Sequence, residues 1–251
     1  MTVTAARSAP SRELGPDLVR TARTTGLLYL GLAITGLVGA LVLRAQLYVV
    51  DDPGGTLSNL LEHGSLARLG ILMELGIVVT QALAALWFYR LFRGIDTFAA
   101  GALVAFGMVN AVAILGSAAL LATALDVAED PSLAATGGAA ATVQLLYVAS
   151  GHLWGVAGLF FGLWLVPMGW LVLESGWLPR PLGWLLIGGG AGYVVSTLII
   201  YALPDADLVS QLLTVPATIG ELWIVGYLLV FGVRAHPTRD FGSRTVPAEG
   251  S

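Results

Sequence analysis

Residues 97–125 (TFAAGALVAFGMVNAVAILGSAALLATAL) carry no charged side chain. A soluble fold has little use for such a run, because one face of a surface helix must meet water. Lipid reverses the demand. About 20 apolar residues in a helix cross a hydrocarbon core of roughly 30 Å, and the helix satisfies its own backbone polar groups. Comparable stretches cover about 25–47, 67–90, 181–203 and 210–233, and another lies within 139–173. The chain is therefore expected to be all-α, an integral membrane bundle of six transmembrane helices. With 57% hydrophobic and 11% charged residues it has too little charge to cover a soluble surface.

The arginines give this layout a direction. No Lys occurs, so Arg carries all the positive charge. Alternating spans put both tails and the connections 91–96 and 174–180 on one side. That side holds Arg7, Arg12, Arg20, Arg23, Arg90, Arg93, Arg180, Arg234, Arg239 and Arg244, against only Arg44 and Arg68 opposite. Cytoplasmic loops carry the excess of Arg, so both termini are expected in the cytoplasm. The opposite loops are acidic, with Asp51, Asp52 and Glu62, then Asp126, Glu129 and Asp130, then Asp205 and Asp207. Trp87, Tyr89, Trp170, Trp177 and Trp184 fall near the inner ends, as an interfacial aromatic belt would. The expected compartment is a bacterial cell membrane, crossed several times.

Residues 1–18 and 237–251 are polar and rich in Pro, Ser and Gly, and are expected to be disordered tails around a membrane domain over 19–236. Residues 1–23 lack the short apolar core of a cleavable leader, so the first span is expected to remain as an anchor. In the first outer loop, Asp52-Pro53-Gly54-Gly55 forms a turn. Thr56 can cap a short amphipathic helix ending at Gly64, and Ser65 can cap the second span. A helix over 139–173 is too long for one upright crossing. It must protrude, tilt or break, with Gly137-Gly138 and Pro167 as the irregularities.

The absence of Cys excludes disulfides, thiolate nucleophiles, iron–sulfur clusters and Cys-bound zinc. With a net charge of −4 the chain offers no basic face for nucleic acid. No phosphate-binding loop, dinucleotide fingerprint, nucleophile elbow or zincin motif is present. No cofactor is expected, and the implied partners are the lipid bilayer and a small molecule or ion of unknown identity.

Glu74 and Glu221 stand inside otherwise apolar spans. A charge at a span centre costs about 3 kcal/mol on insertion scales, so each acid is expected to be paired, wetted by a cavity, or neutral. The segments Glu74-Leu75-Gly76-Ile77-Val78 and Glu221-Leu222-Trp223-Ile224-Val225 resemble each other, either as a degenerate parallel repeat or by the chance of a limited alphabet. His152 is the one histidine in a predicted span. It is read as a packing histidine or, with the two acids, as a metal or proton site, although no ligand spacing supports a metal. Gln81 lies on the face of Glu74, seven residues on. Arg44 and Arg68, at outer span ends, can snorkel or pair with the acids. Asn110 and Gln144 add polar groups. Together Glu74, Glu221, His152, Gln81, Arg68 and Arg44 define an expected pocket opening to the outside, with no metal. Gly151, Gly155, Gly158 and Gly162, with Gly188 and Gly192, form small-residue stripes. These suit close packing within the chain or, alternatively, a homo-oligomer.

Four segments resemble a bacterial membrane family known as domain of unknown function 4386. They are Ala22-Arg23-Thr24-Thr25-Gly26-Leu27-Leu28-Tyr29; Leu66-Ala67-Arg68-Leu69-Gly70-Ile71; Ser175-Gly176-Trp177-Leu178-Pro179-Arg180-Pro181-Leu182-Gly183; and Gly220-Glu221-Leu222-Trp223 with Gly232-Val233-Arg234. The resemblance spans about 20–235. Glu221 and Arg180 match its pattern, and Glu74 stands where an acid, often Asp, is expected. It implies a multi-span helical bundle and no established activity.

Three functions stay open from the residues. In the first, a binding or transport-like protein uses Glu74 and Glu221 as proton-exchanging acids. In the second, a structural or partner-binding protein uses the acids as glue between helices. In the third, a membrane-embedded enzyme acts on a lipid or isoprenoid, with one Glu as general acid and the other or His152 as base.

Overall fold

The computed structural model describes residues 15–203 and 206–234. All regular structure in them is helical, and six helices are long and apolar enough to cross a membrane. The spans are Pro16–Leu47, Gly64–Phe92, Thr97–Glu129, Gly138–Ser175, Arg180–Ala202 and Asp207–Val230. They form a ring in which each packs on the next and the first returns to the sixth. Residues 1–14, 204–205 and 235–251, which include most of the expected tail 1–18 and all of the expected tail 237–251, lie outside the described residues. Pro16 starts the first span, where its missing N–H costs nothing.

The first and last described segments meet at one face of the ring. A Cβ at Gly26 of the first span would lie 3.0 Å from Leu228 of the sixth, and one at Gly232 would lie 2.9 Å from Val19. Arg234 N donates to Trp177 O at 3.2 Å, and Trp177 stacks on Phe92 with centroids 5.9 Å apart. We call this the tail face.

The opposite face carries a short helix, Pro53–Glu62, between the first two spans. Its cap is Asp52, not Thr56: Asp52 Oδ1 accepts from Gly55 N at 2.8 Å. Thr56 is instead fully buried, accepts from Val49 N (3.1 Å) and donates to Gln144 Oε1 (2.8 Å). Ser65 does not cap the second span either. That helix begins at Gly64, after His63, with no side-chain cap. The cap of the loop helix falls four residues earlier than the sequence suggests, because Pro53 already starts the helix.

The fourth span does not break. It runs 38 residues from Gly138 through Pro167 to Ser175, roughly 57 Å at 1.5 Å per residue. Its excess length protrudes and is covered. Val143 and Tyr147 pack with Leu60 of the loop helix, Leu47, Ala67, and Leu121, Ala124 and Leu125 of the third span in a satellite core. Gly176, at φ 62°, then ends the helix in the left-handed conformation that glycine adopts without strain.

The glycine stripes serve packing within the chain. A Cβ at Gly155, Gly158 or Gly162 would meet Tyr201, Thr197 or the Gly190 carbonyl at 2.7, 3.0 and 2.7 Å. One at Gly192 would overlap the Leu213 carbonyl, so the fourth, fifth and sixth spans approach backbone to backbone. Gly188 has open space where its Cβ would be.

One irregularity has no sequence warning. The first span is α-helical to Leu37 and π-helical over Val38–Arg44. Such a stretch changes the face that later residues present, and it ends on Arg44.

Candidate functional site

The polar side chains of the spans fall into layers. Nearest the loop helix, Arg44 turns into the bundle. Its Nη1 donates to Ser150 Oγ (2.9 Å) and its Nη2 to the Tyr147 carbonyl (2.7 Å). Tyr48 and Tyr147 stack on each other 5.6 Å apart, and the guanidinium lies 5.9 and 5.6 Å from their ring centres. Desolvation makes such cation–π contacts worth more than at a surface, about 2 kcal/mol. Ser150 passes the chain of hydrogen bonds on to Ser117 (2.7 Å).

One layer down is Glu74, 5% exposed. Its Oε1 accepts from Trp154 Nε1 at 2.9 Å, and its Oε2 has no hydrogen-bond partner. The next layer pairs Gln81 with Asn110, the Asn Nδ2 donating to Gln81 Oε1 at 2.8 Å. Gln81 Nε2 is left buried and unpartnered. Lower still, the Tyr29 hydroxyl donates to Glu221 Oε1 in a short hydrogen bond. Tyr29 is fixed from behind by Phe88, edge-on at 5.6 Å, and by Trp164 at 6.0 Å. Trp164 fits only because the third span has glycine at 107, where a Cβ would overlap the indole.

Between these layers lies a cavity of about 270 Å³. Its polar groups are the Tyr29–Glu221 pair, Gln81, Asn110, Trp154, Tyr193 and Thr218, and the rest of its wall is apolar or glycine. Among the described residues neither Arg nor Lys lines it. Toward the tail face Tyr29 lines it, with Phe88 and Trp164 packed against the tyrosine ring. Trp154 separates it from Glu74. All its lining residues come from the middle stretches of the spans.

The residues singled out from the sequence are thus divided. Glu221 and Gln81 line the cavity. Glu74 stands behind the Trp154 wall, and Arg44 stands above it. Arg68 is at the loop-helix end, paired with Glu129 at 2.5 Å, with about half of each side chain exposed. His152 is exposed on the ring perimeter, its imidazole 6.1 Å from the Tyr201 ring. The reason is helical geometry. At about 100° per residue, positions 152 and 154 point nearly opposite ways, and Trp154 takes the inward one. Among the described residues no three His, Cys, Asp or Glu side chains come together to hold a metal. The acids do not occupy repeated environments, since Glu74 is held from the fourth span and Glu221 from the first.

Tyr29, Trp154 and Tyr193 were not singled out from the sequence as site residues. A signal did exist: each is an aromatic with a polar tip well inside a span, where that tip needs a partner. What the sequence lacks is the identity of the partner.

No curated protein and no solved structure matches the chain. The family described as "Domain of unknown function (DUF4386)" matches residues 24–232, most of the chain and all six spans in whole or large part. A multi-pass helical bundle with a cavity between its spans is therefore the form taken here by a member of that family, and the chain belongs to it.

Proposed function

We propose that this protein is a binding or transport-like membrane protein. Its ligand is a small molecule with an apolar body and an amine head, held in the central cavity with the head at Glu221. The carrying observation is the charge inventory of that cavity, which among the described residues has one carboxyl group and no Arg or Lys. Tyr29 holds one oxygen of Glu221, and among the described residues no donor reaches the other. An ammonium against a carboxylate forms a charge-assisted pair, strengthened by the low local dielectric. The aromatic faces of Tyr29, Trp154, Phe161 and Tyr193 suit a cation as well. An anionic head would face Glu221 with nothing to offset it. Glu74 then acts indirectly, by fixing the indole that forms one wall.

The tails are proposed to lie in the cytoplasm. Arg20, Arg23, Arg90, Arg93, Arg180 and Arg234 support this, all falling near the tail face, with only Arg44 and Arg68 toward the other.

The test uses three probes with one apolar body: 2-phenylethylamine, 2-phenylethanol and phenylacetate. Thermal unfolding in detergent should rise most with the amine, less with the alcohol and least with the carboxylate, because a ligand of the native state alone stabilises it. Glu221→Gln should abolish the advantage of the amine. Equal shifts from all three, or the largest from phenylacetate, would sink the assignment.

A further inference from the structure

The cavity wall is not uniformly buried. Among its lining residues the exposed ones are Ala33, Leu37, Thr218 and Leu222, with Leu37 62% and Leu222 64% exposed. All four belong to the first and sixth spans, the one seam of the ring not drawn together by a connecting loop. The two spans touch near the tail face, where Gly26 packs on Leu228 and Leu229. They then part. The first span leans on the second, Gly31 against Thr80, Gly76 against Thr35 and Gly39 against Met73. The sixth leans on the fifth, Gly189 against Ala217 and Gly192 against Leu213. At Gly36, which lines the cavity, a Cβ would meet nothing within 4 Å. At mid-span height the seam thus has a gap beside the cavity, where Ala33, Leu37, Thr218 and Leu222 line the cavity and are exposed at once.

Toward the loop-helix face the way is obstructed. The Trp154–Glu74 bond lies over the cavity, and the Arg44, Tyr48, Tyr147, Ser150 and Ser117 layer lies over that. A gap at the depth of Thr218 and Leu222 therefore faces hydrocarbon, which has no water to hydrate an approaching ligand.

We infer that the gap between the first and sixth spans is a lateral portal. Through it a bilayer-resident alkylamine places its head at Glu221 while its chain stays between the two spans. The inference rests on the amine reading above and adds the source and shape of the ligand. The cavity, at about 270 Å³, takes a head and a few carbons but not a long chain. The exposed Leu37 and Leu222 give the rest of that chain an apolar channel continuous with the bilayer.

Because the chain has no Cys, single nitroxide labels can be attached without removing native residues. Labels at Leu37→Cys and Thr218→Cys, in phosphatidylcholine vesicles, are compared with one on the loop helix (Ser58→Cys) and one on the lipid-facing third span (Val112→Cys). Contact with oxygen reports lipid, and contact with a water-soluble nickel chelate reports water. The two gap labels should behave like the Val112 position. Adding dodecylamine should lower their oxygen contact saturably and leave the Val112 position unchanged, and Glu221→Gln should remove the effect. Gap labels that meet the nickel chelate as strongly as the Ser58 position would overturn the portal and leave the amine reading intact. If 2-phenylethylamine stabilises the protein but dodecylamine leaves the gap labels unmoved, the ligand carries no chain and this inference alone fails. If neither amine has any effect, the inference falls together with the reading beneath it.

Discussion

Tyr29 and Glu221 are 192 residues apart in the chain, yet the tyrosine hydroxyl donates directly to the glutamate carboxylate where the first and last spans meet. This bond ties the first span to the sixth and furnishes one wall of the cavity. Tyr29→Phe removes the donor and keeps the ring stacked on Phe88 and Trp164. The loss should be about 1.5–3 kcal/mol, the usual worth of a hydrogen bond to a charged group, read as a lower midpoint in chemical or thermal unfolding. Glu221→Gln keeps an acceptor for Tyr29 and should cost less. A Tyr29→Phe protein as stable as the wild type would show that the bond contributes no net stability.

Glu74 and Trp154 invite a double-mutant cycle. Trp154→Phe should leave both carboxylate oxygens of Glu74 without partners and destabilise clearly. Glu74→Leu combined with Trp154→Phe replaces both ends of the bond by apolar groups and should recover much of that loss. The coupling should be about 0.5–3 kcal/mol. Additive single effects would mean that the pair is not a working contact.

Gly107 and Gly101 are matched glycines on the third span. A Cβ at 107 would overlap the Trp164 ring, whereas one at 101 meets nothing within 4 Å. Gly107→Ala should cost about 1–3 kcal/mol through overpacking, while Gly101→Ala should be neutral or slightly stabilising. Equal unfolding midpoints for the two variants would contradict this packing.

The loop helix depends on its cap. Asp52→Ala should destabilise residues 53–62 locally by about 0.5–2 kcal/mol, seen as faster amide hydrogen exchange there and not in the spans. Protection unchanged across the loop helix would remove Asp52 from that role.

At the turn after the third span, hydrogen bonds from the Ser132 hydroxyl and backbone N–H hold the Asp130 carboxyl below the usual carboxylate range. A folded pKa below the unfolded one means that the stabilisation is complete above the unfolded value and lost as pH falls through the folded one. The Ser132 amide resonance should therefore shift at a lower pH than that at which an unstructured aspartate titrates. A midpoint at the ordinary value would show that the turn does not hold.

How much of the site the sequence could reveal depends on the residue. Glu74 and Gln81 were legible as sharing a face, because seven residues are close to two helical turns, and both are buried. Arg44 was legible as an unusual charge at a span end but not as an inward one, since the π-helical stretch before it has no sequence signature here. His152 looked like a partner for the acids only while the rotation of the fourth span was unknown. Once Trp154 points inward, His152 must point out.

The six spans follow from sequence alone, because lipid demands one local thing of a helix: enough consecutive apolar residues to cross it. The placing of polar groups does not follow. In water, a helix announces its buried side by being apolar on one face. In a membrane every face is apolar, and interior and exterior read alike. Which residues meet was decided by the tilt and rotation of packed helices, through glycine contacts such as Gly26 on Leu228 and Gly162 on Gly190. Those contacts bring Tyr29 to Glu221, set Trp154 between Glu74 and the cavity, and leave the first and sixth spans apart at Gly36.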